Sequence, residues 1–282
     1  MTGAFVWRLG KQISQILRKQ KSFFYKLALF SLLLKIIFGL VLNRLFGYRK
    51  KKIRVFSFDV LFLDYSFLYA LFDEIFIQEI YDIKIKKATP FIIDCGSNIG
   101  LSILYFKMRY PKAQILGFEP DPHAFAALKQ NIAQLPDVTV INAAVYNKNE
   151  MISFFTEKGK RGSLSSSVTK RIMEFKRPVE QIVVPAVRLS DYIKKQVDFL
   201  KIDIEGAETI VLADIAPTLH HVVEIFIEYH YNKINKENRL NIIFDILEKK
   251  GFKYFIWGKT IPPFYQWREK PYNLIIYAYR RE

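Results

Sequence analysis

Three carboxylates crowd the stretch VDFLKIDIEGAETI (197–210), where Asp203, Glu205 and Glu208 follow an apolar run that reads as a buried strand. A second run, VVEIFIEYH (222–230), ends on Glu228 and His230, two positions apart and therefore on one face of a strand. If the two strands are sheet neighbours, their ends gather Asp203, Glu205, Glu228 and His230 into one acid-and-imidazole cluster. Such a cluster suits removal of a proton from a hydroxyl. His230 is the best intrinsic match to neutral pH, and Asp203 or Glu205 can serve where burial and mutual repulsion raise their proton affinity. The same groups could instead bind a divalent metal through oxygen and imidazole ligands, which would acidify the hydroxyl; the metal-free version is preferred. The plainer role for Glu205 or Glu208 is a first-turn helix acid favoured by the helix dipole, and Glu208 is assigned to the helix surface on that ground. His230 has a plainer role too, that of orienting a neighbour.

A glycine turn supplies the second feature. FIIDCGSNIG (91–100) ends a strand and opens a helix, with Asp94 ahead of Gly96 and Gly100. A dinucleotide fingerprint has glycines at the first, third and sixth positions; counted from Gly96, those places hold Asn98 and Leu101, which disfavours a diphosphate. The turn still brings backbone close to a ligand, and Ser97 and Asn98 add polar groups, either of which can cap the helix. Glu119 ends the next strand in GFEPDP (117–122). Ligands of open α/β sheets sit beyond the carboxyl ends of the strands, and a carboxylate there can accept from both hydroxyls of a ribose. Asp94 and Glu119 together point to an adenosine site without a diphosphate loop.

These groups need a scaffold, and the pattern from Pro90 onward is strand, turn, helix, repeated. Strands are expected at 91–94, 114–119, 138–145, 197–203, 222–230, 252–258 and 272–280, with helices at 101–110, 122–135, 207–215 and 236–250. That alternation predicts an α/β fold with a mostly parallel sheet and right-handed crossovers. No helix separates the last two strands, so they are expected to be antiparallel. Residues 53–64 read as a strand pair. Residues 65–83 read as a helix with Asp73, Glu74, Gln78 and Glu79 on its wetter side. Residues 151–155 and 181–187 are expected to pair around the hydroxyl-rich loop GSLSSSV (162–168), a candidate cover for a substrate. In IPPFYQWREKPY (261–272), Tyr265 and Trp267 could stack on sugar faces and Arg268 could meet an anion.

Charge divides the chain. The net charge is +16, yet residues 1–54 hold 13 Lys/Arg and no acid, while residues 55–282 hold 30 Lys/Arg against 27 Asp/Glu. The basic surplus therefore belongs to an N-terminal arm, which argues against a nucleic-acid-binding body. Within the arm, Phe5, Leu9, Ile13 and Leu17 recur at helical spacing, widened by Val6 and Ile16. Residues 23–42 are apolar apart from Lys26, Ser31 and Lys35. They are long enough to span a bilayer, but a central lysine opposes it by about 2.5–3.5 kcal/mol. The late, lysine-bearing run does not read as a signal peptide. An interfacial or re-entrant anchor on anionic lipid is expected, against the alternative of a helix packed on the domain. The single cysteine, Cys95, allows no intrachain disulfide and fits a reducing compartment.

The ordered set DCGSNIG, GFEPDP, NAAV, VDFLKIDIEGAE and IEYH resembles the FkbM family of S-adenosylmethionine-dependent methyltransferases, over roughly residues 70–257. The resemblance implies a Rossmann-like class I fold: a mostly parallel seven-stranded sheet with an antiparallel last strand, here with an N-terminal helical arm. It implies S-adenosylmethionine as cofactor and methylation of a hydroxyl, of the kind found on sugars or polyketides. By position it implies that Gly96, Ser97, Asn98 and Gly100 line the methionine part, that Glu119 holds the ribose, and that Ala143 and Ala144 lie near the adenine. Asp203 is implied near the amino group or the acceptor. Cys95 stands where the family usually has a small apolar residue, and the arm lies outside the match. The expected organisation is an arm at 1–52, an accessory segment at 53–89 and the methyltransferase domain at 90–282. The expected activity is O-methyl transfer to a glycan, glycolipid or similar hydroxyl compound, in the cytoplasm on the inner face of a membrane. The alternatives are an inactive membrane-attached scaffold and an NAD-binding Rossmann enzyme.

Overall fold

The computed structural model describes residues 3–48, 51–159, 162–164, 166–168, 178–258 and 270–280. Tyr265, Trp267 and Arg268 lie outside the described residues. The expected sheet is present. Strands β3 (Phe91–Cys95), β4 (Gln114–Phe118) and β5 (Val138–Ile141) run outward on one side, and β9 (Val197–Ile202), β10 (Val222–Tyr231), β12 (Tyr272–Tyr279) and β11 (Lys253–Gly258) on the other, in the order β11-β12-β10-β9-β3-β4-β5. The pairs β4–β5, β3–β4, β3–β9 and β9–β10 are parallel, whereas β12 is antiparallel to both its neighbours. Strand order reverses at β3, which places a crevice beyond the carboxyl ends of β3 and β9.

Both faces of the central strands are covered, and their residues alternate accordingly. Ile92, Phe199 and Phe226 face one apolar layer with α4 (Leu101–Arg109) and α5 (Pro122–Ile132). Ile93, Leu200 and Ile225 face the other, with α6 (Glu208–Ile215) and α7 (Leu240–Lys249). The expected accessory pair is β1 (Lys52–Val55) with β2 (Phe58–Leu61), antiparallel.

Three expectations change. The strand expected at 138–145 is two strands in two sheets. After β5 the chain turns at Asn142, whose side-chain amide donates to the carbonyls of Glu119 (2.8 Å) and Pro120 (3.2 Å). It then enters β6 (Ala144–Tyr146), which joins the expected hairpin β7 (Glu150–Glu157) and β8 (Val179–Arg188) in a separate three-stranded sheet. The helix expected at 65–83 is shorter: α3 (Tyr65–Phe72) widens into a π turn over Asp73–Ile77. Asp73 is buried rather than wet, held by Arg8 at 3.0 Å.

The arm is the third change. Helices α1 (Gly3–Arg18) and α2 (Phe23–Phe46) are docked on the body, not hung from it. Leu29, Leu32, Leu33, Ile36 and Gly39 of α2 are buried, and Leu29, Leu32, Leu33 and Ile36 share one apolar cluster with Phe62, Leu68, Phe72 and Phe106. Gly39 is required by this contact, because a Cβ there would lie 2.3 Å from the Tyr65 ring. Lys19 pairs with Glu79 at 2.7 Å, and the Tyr69 hydroxyl donates to Gln12 at 2.9 Å. The opposite face of the arm is exposed and apolar, including Trp7, Phe23, Phe24, Phe38 and Phe46.

Candidate functional site

A cleft, open on one side, occupies the crevice beyond β3, β4 and β9. Gly96, Ser97, Asn98, Glu119, Ala143 and Ala144 line it together with Asp203, Glu205 and Glu228. The expected convergence of two strand ends is thus present, from β9 and its parallel neighbour β10.

The glycine turn is built by close backbone contact. Gly96 has φ +84°, and a Cβ there would lie 1.9 Å from the Asp203 carbonyl oxygen. The Asp203 N–H donates back to the Cys95 carbonyl at 3.2 Å, so the two strand ends are locked side by side. Gly96 and Ser97 both donate their N–H groups to the Phe118 carbonyl. Asn98 sits in the left-handed region at φ +46°, which asparagine tolerates well. Its N–H donates to Glu119 Oε2 at 2.8 Å, while Glu119 Oε1 accepts from Asp121 N–H at 2.8 Å. Burial pushes the Glu119 carboxyl up to about 8, against the pull of these two amides.

Two expected cofactor contacts lie elsewhere. Gly100 is absent from the cleft lining. It caps α4 at φ +88°, where a Cβ would lie 2.7 Å from Leu128, so its role is close packing of α4 on α5. Asp94 is fully buried behind the cleft wall, accepting from Ser102 Oγ at 2.6 Å and paired with Lys201 Nζ at 3.0 Å.

Lys201 is a central residue that the sequence reading passed over. It stands one residue before the carboxyl end of β9, 1% exposed, donating to the Gly96 carbonyl at 2.9 Å and pairing with Asp203 at 3.4 Å as well as Asp94. Burial alone would lower its proton affinity, but Asp94 and Asp203 outweigh that and hold the ammonium firmly charged. A lysine inside the apolar run VDFLKI was the available signal, since a lysine in a fully buried strand must be paired.

His230 is also reassigned within the cluster. It is 1% exposed and stands behind Asp203, Glu205 and Glu228, not on the cleft surface. Its Nε2 lies 3.4 Å from Glu205, 3.7 Å from Glu228 and 3.9 Å from Asp203. Its Nδ1 lies 2.9 Å from Glu208 Oε1. Glu208 is therefore not a surface acid: it is fully buried, also accepts from Gly206 N–H at 2.8 Å and from Asn238 Nδ2 at 2.6 Å, and so orients the imidazole. Glu205 reaches the cluster through a backbone in the left-handed region, φ +58°, followed by Gly206 at φ +110°. Glu228 accepts from Asn273 Nδ2 at 2.8 Å.

The described part of the hydroxyl-rich loop covers the cleft, with Ser163, Leu164, Ser166 and Val168 on its lining. Ser167 pairs backbone to backbone with Phe155 and donates its hydroxyl to the Glu205 carbonyl.

The cleft suits a nucleoside that carries positive charge. Glu119 offers buried acceptor oxygens, Ala143 and Ala144 leave room for a flat ring, and Asp203, Glu205 and Glu228 make the wall acidic. Among the described lining residues, Lys201 is the one cation, and its charge is already shared by two carboxylates. An acidic lining of this kind fits the positively charged S-adenosylmethionine.

Residues 94–254 match the family model described as the methyltransferase FkbM domain. A 2-O-methyltransferase, NoeI, from Sinorhizobium fredii (strain NBRC 101917 / NGR234) is 30% identical over 177 residues, spanning 58% of this chain and 73% of its own. Methyltransferase 1 from Beauveria bassiana (strain ARSEF 2860) is 27% identical over 208 residues, spanning 67% of this chain and 76% of its own. Among solved structures, a methyltransferase FkbM from Methylobacillus flagellatus KT is 16% identical, with a TM-score of 0.47, over 76% of this chain and 54% of that one.

Proposed function

The chain belongs to the FkbM methyltransferase family and is an S-adenosylmethionine-dependent enzyme, and from that premise we propose that it methylates a hydroxyl of a glycan, glycolipid or similar polyhydroxylated acceptor. One observation carries this reading: Asp203, Glu205 and Glu228 meet on the wall of the cleft that Glu119 and the Gly96 turn also line. Carboxylates accept hydrogen bonds only, so they bind hydroxyl donors and take up their protons. The NoeI relative is a 2-O-methyltransferase, which supports oxygen as the atom methylated.

Gly96, Ser97 and Asn98 would hold the methionine part of the cofactor, Glu119 its ribose, and Ala143 and Ala144 its adenine edge. Bound there, the sulfonium supplies an electrophilic methyl group. The protein's own part is placement and proton handling. Asp203 is fixed between Lys201 and the Gly96 turn, so it marks the boundary between cofactor and acceptor. Glu205 and Glu228, backed by His230, face the acceptor oxygen. In each turnover the cluster would take the hydroxyl proton, while the bound cofactor would supply the methyl group, an oxygen–carbon bond replacing its sulfur–carbon bond and leaving S-adenosylhomocysteine. The ribose hydroxyls and the acceptor hydroxyl are thus served by separate carboxylates. The reading is tested by transfer of labelled methyl from the cofactor to glycan and lipid extracts, which should yield alkali-stable methyl ethers.

The arm gives this enzyme a place to work. Its outer face combines exposed Trp7, Phe24, Leu34, Phe38 and Phe46 with a segment that holds 13 Lys/Arg and no acid. Helix α2 is long and apolar enough to cross a membrane, but five of its residues are buried on the body. A docked helix with an apolar outer face and basic surroundings fits peripheral binding to anionic lipid on the cytoplasmic side, within reach of a lipid-linked acceptor. The whole chain should float with anionic vesicles and not with zwitterionic ones. Replacing Trp7, Phe24 and Phe38 together by serine should abolish flotation while leaving the melting temperature in place. Flotation that survives this triple change would reject the anchor.

A further inference from the structure

We propose that Asp203, Glu205 and His230 form a site for one divalent first-row cation of the Mn²⁺ type; this rests on the acceptor reading of the same cluster. The ligand atoms of these three residues lie within 4.8 Å of one another. An acidic cluster alone would not identify a metal site, but His230 adds an independent observation. Its ring is 1% exposed, and Nε2 has no hydrogen-bond partner among the described residues although three carboxylate oxygens stand 3.4–3.9 Å away.

The tautomer follows from Glu208. That carboxylate is buried and accepts from Gly206 N–H and Asn238 Nδ2, so its contact with Nδ1 at 2.9 Å requires the imidazole to donate. In the neutral ring the Nε2 lone pair then points at Asp203, Glu205 and Glu228. Lone pair facing carboxylates is repulsive unless a cation lies between them. A proton on Nε2 would draw one oxygen in to about 2.7–2.9 Å, the length of a charge-assisted hydrogen bond, and none is that close. Ligands about 2.1–2.2 Å from one ion sit about 3 Å apart at right angles and about 4.3 Å apart when opposed. The observed spacings fall in that range.

The surroundings match a metal centre. A carboxylate behind the ligating imidazole, here Glu208, fixes the ring and raises its basicity. Asp203 turns one oxygen to Lys201 (3.4 Å) and the other to Nε2, which fixes its orientation as a ligand. Glu228 is held by Asn273 at 2.8 Å with its Oε1 3.7 Å from Nε2, so it stands beside the three ligands, placed to accept a proton. Asp203 and Glu205 open onto the cleft, leaving coordination positions for water or an acceptor hydroxyl. One nitrogen and two carboxylates suit Mn²⁺ and its neighbours better than Ca²⁺. An ion there would polarise the acceptor hydroxyl. This replaces the metal-free cluster preferred from sequence.

The test is titration of MnCl₂ into the metal-stripped full chain, followed by electron paramagnetic resonance and calorimetry, without cofactor or acceptor. One saturable site per chain is expected, displaceable by Zn²⁺. Asp203→Asn and His230→Gln should each weaken it at least tenfold, and Glu208→Gln about 10–100-fold, as for other residues that orient a metal ligand. Absence of saturable binding of both Mn²⁺ and Zn²⁺ by the wild-type chain would overturn the site, as would affinity unchanged in Asp203→Asn and His230→Gln. Methyl transfer that persists undiminished in chelator would also overturn it, while leaving the acceptor reading intact. A chain that binds Mn²⁺ but methylates no hydroxyl would retain the site and remove the acceptor reading.

Discussion

Replacing Lys201 by methionine is expected to destabilise the protein by about 3–5 kcal/mol, the range for breaking a buried ion pair from one side. The side chain is almost fully enclosed, and its partner Asp94 is fully buried, with the Ser102 hydroxyl as its other contact. Without the ammonium, Asp94 is a buried charge and Asp203 loses the group that orients it. The Gly96 carbonyl also loses its donor. Urea denaturation measures the loss. The double variant Lys201→Met with Asp94→Asn should recover most of it, because a neutral pair no longer carries an unpaired charge. A loss below about 1 kcal/mol in the single variant, or no recovery in the double, would show that the pair is not what holds β3 to β9.

Cofactor affinity is expected to rise with pH, governed by Glu119. Its carboxyl is pushed up to about 8 by burial, so in the free protein it is mostly protonated at pH 7. Ribose hydroxyls donate to the ionised form, so binding favours loss of that proton. The sign follows by linkage: affinity increases as pH rises through 8, by about tenfold between pH 7 and pH 9, with net proton release. The same raised value makes the free protein less stable as pH climbs from the ordinary carboxylate range to 8, since the folded form binds the extra proton there. Calorimetry with S-adenosylhomocysteine in buffers of different ionisation enthalpy reads both affinity and proton release. Glu119→Gln should bind more weakly than wild type at pH 9 and lose the dependence due to this group. Equal pH profiles in the two proteins would remove Glu119 from the ribose site.

Much of this site was legible because its residues obey local rules. Asp203, Glu205, Glu228 and His230 stand at the ends of two apolar runs, and such ends are where an open α/β sheet exposes its chemistry. Gly96 was legible as a turn, although its specific cause, the Asp203 carbonyl against it, is a contact 107 positions away in the chain. The residues misread are those whose partners come from another element. Glu208 looks like a helix-surface acid until β10 and Asn238 arrive beside it. Gly100 looks like part of a ligand loop until Leu128 closes on it. Asp94 looks like a ligand group until Lys201 claims it. The arm shows the same limit on a larger scale: α2 is apolar on nearly every side, and only contact with α3 decides which side is buried.

Hydroxyl methylation by the acidic cluster is tested most directly by a single-turnover assay with methyl-labelled S-adenosylmethionine, the full chain and a polar-lipid and glycan extract. Label is expected in a methyl ether. The Asp203→Asn, Glu205→Gln double variant, with Lys201 and Glu119 intact, should slow transfer by about 10²–10⁴-fold while still binding S-adenosylhomocysteine. Label appearing only on nitrogen or carbon, or transfer undiminished in the double variant, would contradict hydroxyl methylation by the cluster.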